Sequence, residues 1–165
     1  MKIRIIITGG TFDKHYDEIQ GELTFRDSNL PQILKTVRCT VPVEMEMNRM
    51  VDSMHMSEED RKQILASCTN SEEDKIIVTH GTDTMTTTAR RLGKAKLAKT
   101  IVLTGAMVPY AIKGSDAVFN LGCSLMAVQT LPHGVYIVMN GKFFNWDDVK
   151  KNRDLGVFEQ YESAQ

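Results

Sequence analysis

IIVTHGTDTM, residues 76–85, joins the end of one predicted element to the start of the next. Residues 76–78 are apolar and β-branched, which favours a buried parallel strand. Gly81 permits a sharp turn, and Thr-Asp-Thr at 82–84 are residue types that begin helices. This order places polar side chains at the carboxyl end of a sheet, where open α/β folds bind ligands. From these residues alone, a helix cap and a catalytic role for the hydroxyl and the carboxylate both stay open.

Two other predicted strands end in a similar way. Residues 3–7 (IRIII) precede Thr-Gly-Gly-Thr at 8–11, and residues 100–103 precede Thr-Gly-Ala at 104–106. Gly10 lets the backbone approach a ligand closely, although a tight turn explains the same glycine. Neither loop has Walker A or GxGxxG spacing, so a nucleotide site is the least favoured function. Several hydroxyls at one end of a sheet indicate a small polar substrate instead.

Predicted strands and helices alternate along the chain at roughly the spacing of βαβ units. Strands are predicted at 3–7, 41–47, 76–78, 100–103, 135–139 and 155–158. Helices are predicted at 30–37, from 57 to about 68, at 85–97 and from 115 onward. The last of these helices has an apolar stripe of Val118, Leu121, Leu125 and Val128. We therefore predict an α/β fold, a single three-layer domain over residues 1–165. Its sheet is mostly parallel with helices on both faces, flavodoxin-like or Rossmann-like. Residues 12–29 show no clear period and predict a lid loop.

Composition narrows the class of protein. The chain has 165 residues, a formal net charge of −1 and 25% charged residues, with Lys and Arg scattered, so no nucleic-acid partner is expected. No apolar run approaches the ~20 residues of a membrane span, and no signal peptide is evident, which predicts a cytoplasmic protein without a membrane partner. Its three cysteines lack metal-ligand spacing, which predicts reduced thiols and no metal.

Six motifs resemble the bacterial-type L-asparaginase/glutaminase family. They are ITGGT at 7–11, VDS at 51–53, VTHGTDTM at 78–85, LTGAMVP at 103–109, GSDAVFNL at 114–121 and VMNGKFFNWDDVKKN at 138–152. The matches run in order over nearly the whole chain, and TGGT together with HGTDTM is a specific signature. The resemblance implies an L-asparagine amidohydrolase that releases aspartate and ammonia without a cofactor.

The resemblance also implies catalytic roles. Thr11 matches the family's first nucleophilic threonine, which would form an acyl-enzyme. Thr82 and Asp83 match the second threonine and its acid, the latter also pairing with the substrate α-ammonium group. Lys151 matches the active-site lysine and supplies a proton relay, because a threonine hydroxyl needs a base within hydrogen-bond reach. Tyr16 is the best match for the lid tyrosine, in a loop that aligns poorly.

Substrate-binding roles follow from the same resemblance. Ser53 matches the serine that contacts the substrate α-carboxylate. Backbone N–H groups around Gly81 and Thr82 are expected to stabilise the oxyanion, while Gly10 admits the ligand. The backbone of Ala106 is a lesser candidate for the contact with the substrate amide.

The sequence departs from the family pattern in three places. The usual member is about twice this length, so the family's C-terminal domain is expected to be absent here. Met54 follows Ser53 where the family often has a small polar or amide residue. Residues 143–146 (FFNW) are unusually aromatic, and either line the site or cover surface as a subunit contact. We favour the subunit contact, since exposed aromatic patches mark interfaces and the family forms dimers or tetramers.

The leading hypothesis is thus a single-domain L-asparaginase that acts on a small amino-acid substrate as a homodimer or homotetramer. The alternative is a non-catalytic amino-acid-binding or sensing domain with the same fold. A third possibility is an amidase for another small amide.

Overall fold

A computed structural model describes residues 1–161 and contains one six-stranded sheet with four helices. The strands are β1 Ile3–Gly9, β2 Lys14–Asp17, β3 Glu22–Phe25, β4 Val43–Val51, β5 Lys75–Thr79, β6 Thr100–Thr104, β7 Gly134–Met139, β8 Lys142–Asn145, β9 Lys150–Asn152 and β10 Val157–Glu159. The helices are α1 Leu30–Thr36, α2 Glu58–Asn70, α3 Met85–Lys94 and α4 Ala117–Thr130. None of these helices is long and apolar enough to cross a bilayer.

The sheet order is β4-β1-β5-β6-β7-β8, with the first five strands parallel and β8 antiparallel to β7. Helices α2 and α3 cover one face, where Ile64 and Leu92 pack on β5 and β6. Helices α1 and α4 cover the other face, where Ile33 and Leu121 pack on Ile77. The predicted three-layer α/β fold with a mostly parallel sheet is confirmed.

Helix α2 begins at the capping box that its sequence predicts. Ser57 Oγ accepts a hydrogen bond from the backbone N–H of Asp60, and the Asp60 carboxylate accepts one from the N–H of Ser57. This reciprocal pair satisfies two backbone donors that would otherwise be unpaired.

The predicted lid loop over residues 12–29 is wrong in part. Residues 11–13 form one 3-10 turn, and β2 pairs with β3 in an antiparallel hairpin. The Asp17 carboxylate accepts hydrogen bonds from the N–H groups of Ile19 and Gln20, which closes the turn. A hairpin whose residues are mostly polar or exposed gives no alternation of hydrophobicity, which explains why the sequence pattern did not indicate it.

Two further boundaries differ from the prediction. Strand β4 extends beyond the predicted end at residue 47 to Val51. Polar side chains in this extension bind to α2: Asn48 donates a hydrogen bond to Ser67, and Arg49 forms an ion pair with Asp60. In α4, Val118 is exposed, since the buried stripe begins one residue earlier, at Ala117.

The aromatic residues 143–146 neither line the site nor form an exposed patch. Phe144 is buried in the sheet core, and Trp146 packs against the same core and on Gly93 of α3. Only Phe143 is largely exposed, with its ring edge-on to Tyr136 at 6.2 Å. The predicted subunit contact is therefore wrong for Phe144 and Trp146. These two side chains instead pack the segment that leads into β9 against the core.

The two helical glycines should respond to alanine in opposite ways. A Cβ atom at Gly93 would overlap the Trp146 ring, whereas one at Gly122 of α4 meets nothing within 4 Å. We expect Gly93→Ala to destabilise the protein by about 1–3 kcal/mol through overpacking. Gly122→Ala should stabilise it by about 0.5–1 kcal/mol, because glycine is a poor helix former. Urea unfolding of both variants checks this, and equal effects would contradict the Trp146 contact.

Candidate active site

The three motif loops lie at one edge of the sheet. Strands β1, β5 and β6 are adjacent and parallel, with Ile7 level with Thr79 and Thr79 level with Thr104. The loops that follow them, at 8–11, 80–84 and 105–107, therefore emerge side by side at the carboxyl ends of the strands, as the sequence predicts.

Glycines bring these loops into direct contact. A Cβ atom at Gly10 would lie 2.5 Å from the Cα atom of Gly81, and Gly10 has a φ of +81°. A Cβ atom at Gly81 would in turn lie 2.5 Å from Ser53 Oγ, and one at Gly105 would overlap the backbone carbonyl oxygen of His80. Side chains at these positions would force the backbones apart. The loops of Thr11, Ser53 and Thr82 are thus packed together by residues that lack a side chain.

Thr82, Asp83 and Lys151 form one hydrogen-bonded cluster. Lys151 Nζ donates to Thr82 Oγ1 at 2.8 Å and to Asp83 Oδ1 at 2.9 Å. The Thr82 residue is 5% exposed, and the Lys151 side chain is 11% exposed. Because Lys151 donates to Thr82 Oγ1, the hydroxyl proton of Thr82 is left to point away from the lysine. The arrangement joins a buried hydroxyl, a largely shielded ammonium and a partly exposed carboxylate.

Lys151 reaches this cluster from β9, a strand that the sequence did not indicate. Lys151 is level with Phe158 in the antiparallel β9–β10 pair, and both Phe158 and Val149 are buried in the core. The three residues of β9, Lys150–Asn152, are polar, so neither length nor periodicity distinguishes them from a loop.

Asp83 remains ionised at neutral pH. The hydrogen bond from Lys151 holds the pKa of its carboxyl below the ordinary value, and the charges of Lys151 and Arg153 add to this effect. Arg153 Nη1 also donates to Asp83 Oδ1, at 2.9 Å. The sequence did not single out Arg153, which lies two residues beyond the matched lysine.

The helix-cap interpretation of residues 82–84 is right in position but wrong for side-chain capping. Helix α3 has Thr84 at its N-cap position, and no side-chain hydrogen bond caps the helix. Thr84 Oγ1 instead donates to the carbonyl of Ser53 at 2.8 Å and accepts from Arg61 Nη2 at 3.2 Å. The hydroxyls of Thr82 and Thr84 thus serve the site and its neighbouring loop.

His80 fixes the peptide between Gly81 and Thr82. Its ring is fully buried, with Nδ1 2.7 Å from the Gly81 carbonyl and Nε2 2.7 Å from Thr88 Oγ1. A carbonyl only accepts, so Nδ1 carries the proton and Nε2 accepts from Thr88. Because the peptide is trans, the N–H of Thr82 points away from the ring. Among residues 1–161, that N–H and the N–H of Gly81 donate to no other residue, which suits oxyanion donors.

His80 should make the protein less stable in acid. Burial lowers the pKa of His80 from 6.5 to about 4, so between these values the unfolded chain binds a proton that the folded chain does not. The free energy of unfolding should therefore fall by about 2–3 kcal/mol from pH 7 to pH 4.5 on account of this residue. Urea unfolding at both pH values measures this. His80→Gln should remove this part of the pH dependence, while His133→Gln, at an exposed site, should not. The same pH dependence in the wild type and in both variants would contradict the role of His80.

The remaining predicted residues lie at different depths. Thr11 is half-buried directly after Gly10, and Ala106 is buried beyond the end of β6. Ser53 is buried, and its Oγ has no hydrogen-bond partner among the described residues. Its neighbour Met54 points to solvent, so this methionine does not line the buried cluster.

Tyr16 and Thr11 share no hydrogen bond within residues 1–161. The Tyr16 residue is 57% exposed on β2, and within residues 1–161 its hydroxyl forms no hydrogen bond. Its hairpin is tied to the site at its base, where Lys14 Nζ lies 2.5 Å from the Asp52 carboxylate, next to Ser53. The role of Tyr16 stays a prediction.

Among residues 1–161, no group of three His, Cys, Asp or Glu side chains has the geometry to hold a metal ion. The chemistry available at the site is that of hydroxyls, backbone N–H groups and one partly buried lysine–carboxylate pair. These groups suit nucleophilic attack on a carbonyl and stabilisation of the oxyanion.

The family comparison agrees with this chemistry. The sequence model described as "Asparaginase, N-terminal" matches residues 2–162. The chain belongs to the asparaginase family. An L-asparaginase from Thermococcus kodakarensis is 29% identical over 163 residues, which is 95% of this chain and 49% of that protein. A glutamyl-tRNA(Gln) amidotransferase polypeptide from the same organism is 29% identical over 147 residues, covering 85% of this chain and 33% of that protein.

Solved asparaginase structures share the fold. The thermostable L-asparaginase from Thermococcus kodakarensis superposes with a TM-score of 0.85 and 28% identity, over 99% of this chain and 52% of that one. A probable cytoplasmic L-asparaginase from Campylobacter jejuni superposes with a TM-score of 0.84 and 26% identity, over 98% and 53%. The asparaginase-family chain thus spans about half the length of these relatives and matches their N-terminal part.

Proposed function

We propose that this asparaginase-family chain is an L-asparagine amidohydrolase that converts asparagine and water to aspartate and ammonia. The observation that supports the proposal most is the contact of Lys151 with both Thr82 and Asp83, beside the loop of Thr11. Relatives named L-asparaginase and glutamyl-tRNA(Gln) amidotransferase are similar to this chain over 95% and 85% of its length, which supports amide chemistry.

In the proposed reaction, Thr11 Oγ attacks the side-chain carbonyl carbon of the substrate. The N–H groups of Gly81 and Thr82 stabilise the oxyanion, and the Thr82 hydroxyl, backed by Lys151, gives a proton to the leaving nitrogen. Ammonia departs and leaves an ester on Thr11. Water, deprotonated through the same relay, then attacks the ester and releases aspartate. Tyr16 is assigned as the relay for the proton of Thr11: its phenol oxygen accepts that proton while passing its own to solvent, and it returns a proton to Thr11 when the ester is cleaved.

Substrate positioning uses the remaining groups. The Asp83 carboxylate is ionised and is assigned to the α-ammonium group, and Ser53, whose Oγ is unpartnered among the described residues, is assigned to the α-carboxylate. Gly10 and Ala106 supply backbone next to the substrate. The protein is proposed to act in the cytoplasm as a homodimer or homotetramer.

An ammonia assay beside calorimetry tests the proposal. The purified chain should release ammonia from asparagine and bind aspartate. Binding of aspartate without ammonia release would replace this proposal with the amino-acid-binding alternative. Ammonia from another small amide, with none from asparagine, would make the chain an amidase of different specificity.

A further inference from the structure

Arg153 contacts the Asp83 carboxylate, which the proposed function assigns to the α-ammonium group of the substrate. Its Nη1 donates to Asp83 Oδ1 at 2.9 Å, and its Nη2 lies 3.3 Å from the Asp83 backbone carbonyl. Lys151 donates to the same Oδ1 atom at 2.9 Å. Within residues 1–161, Arg153 has no other hydrogen-bond partner, so Asp83 alone holds it.

Two cations on one carboxylate change what that carboxylate attracts. Asp83 contributes one negative charge, and Lys151 and Arg153 each contribute one positive charge, so the local sum is positive. Oδ2 is the carboxylate oxygen that has no partner among the described residues, and an α-ammonium bound there would be a third cation at the same group. The substrate's carboxylate, in contrast, is attracted by the positive sum.

We propose that Arg153 sets the substrate preference of the site against an α-ammonium group. The inference rests on the proposed amidohydrolase function and names its substrate class, which is monoamides of dicarboxylic acids. Within this class, Arg153 favours the binding of compounds that lack an α-ammonium group over the binding of asparagine. Succinamate is the matched member of this class, since it has the same chain, amide and carboxylate as asparagine without the amine.

The expected size is modest, because the Arg153 side chain is 64% exposed while that of Lys151 is 11% exposed. Exposed ion pairs are weak and are screened by salt, and their usual strength corresponds to about a two- to five-fold change in affinity. The same exposure makes Arg153 removable without damage to the core, so Arg153→Ala should fold.

The test compares the wild type, Arg153→Ala and the control Lys150→Ala. Lys150 lies on the same strand as Lys151 but pairs with Glu159, at 3.4 Å, and not with Asp83. For Arg153→Ala, kcat/KM for asparagine should rise about two- to five-fold relative to that for succinamate, chiefly through KM. Lys150→Ala should leave the ratio unchanged. An unchanged ratio in Arg153→Ala would overturn the inference while leaving the amidohydrolase in place.

A binding measurement separates this inference from the proposed function. Calorimetry with aspartate and succinate needs no turnover. At low salt, Arg153→Ala should increase the affinity for aspartate about two- to five-fold relative to the affinity for succinate. This gain should shrink at high salt. If neither amide releases ammonia but the gain is seen, the inference stands and the catalytic proposal falls. An equal change in the affinities for both acids, or no binding of either acid, would overturn the inference about Arg153.

Discussion

Thr82→Ala lowers kcat/KM for ammonia release from asparagine by at least about 10²-fold, the usual scale for the loss of a catalytic proton-transfer group. The reason is local: without the hydroxyl, Lys151 Nζ loses the acceptor that lies 2.8 Å away and no longer reaches the leaving nitrogen through it. The measurement is steady-state ammonia release, with circular dichroism to show that the variant is folded.

Two controls bracket this result. Thr82→Ser keeps a hydroxyl and should retain much more activity than Thr82→Ala. Thr104→Ala removes a hydroxyl from the neighbouring strand end, where it donates to the Val138 carbonyl at 2.9 Å, and should cost stability more than turnover. Thr11→Ala, at the proposed nucleophile, is expected to match Thr82→Ala. Ammonia release that survives both alanine substitutions would remove the proposed mechanism.

Lys151→Met has the second large effect, again at least about 10²-fold on kcat/KM. Methionine fills the same narrow space with an apolar chain, so the loss reports the ammonium and its protons. Because Lys151 is the main cause of the lowered pKa of Asp83, the same substitution should raise that pKa toward its ordinary value. Ammonia release and carboxyl NMR titration of Asp83 measure the two effects.

Lys150→Met is the matched control for this prediction. It removes the neighbouring lysine of β9, which pairs with Glu159, and should leave both turnover and the Asp83 pKa nearly unchanged. A Lys151→Met variant with wild-type turnover would show that the lysine is structural. An unchanged Asp83 pKa would show that Lys151 is not the main cause of the lowered pKa.

The parallel sheet was predictable because its strands are apolar runs that end in short polar loops. Residues 76–78 and 100–103 are buried on both faces of the sheet, and burial of this kind leaves a clear pattern in the sequence. The capping box at Ser57 is equally local, since both of its partners lie within one helical turn. Such features need no knowledge of the rest of the chain.

The parts that sequence reasoning missed depend on contacts between distant residues. The β2–β3 hairpin and β9 are short and polar, and partner strands stabilise them rather than their own hydrophobicity. His80 is a polar residue that follows an apolar strand, which is a weak signal for a buried role; its partner Thr88 lies within a helix. Arg153 shows its relation to Asp83 only after the chain has folded, because the two are 70 positions apart.

The cluster of Thr82, Asp83 and Lys151 was inferred by resemblance, and the structure gives that inference a physical basis. Glycine contacts hold the three loops together, and the buried Phe158 and Val149 hold the lysine strand against them. A pattern of single residues could propose these partners. The distances of 2.8 and 2.9 Å from Lys151 Nζ required the fold.

A crystal structure with bound aspartate tests the central claim most directly. We predict aspartate between the four groups that the loops bring together, with its side-chain carboxylate next to both Thr11 Oγ and Thr82 Oγ1, its α-carboxylate at Ser53 and its α-ammonium at Asp83. The bound amine should lie at Oδ2 of Asp83, while Lys151 stays on Thr82. Aspartate bound elsewhere, or Thr11 and Thr82 facing separate cavities with the ligand in only one, would contradict the account.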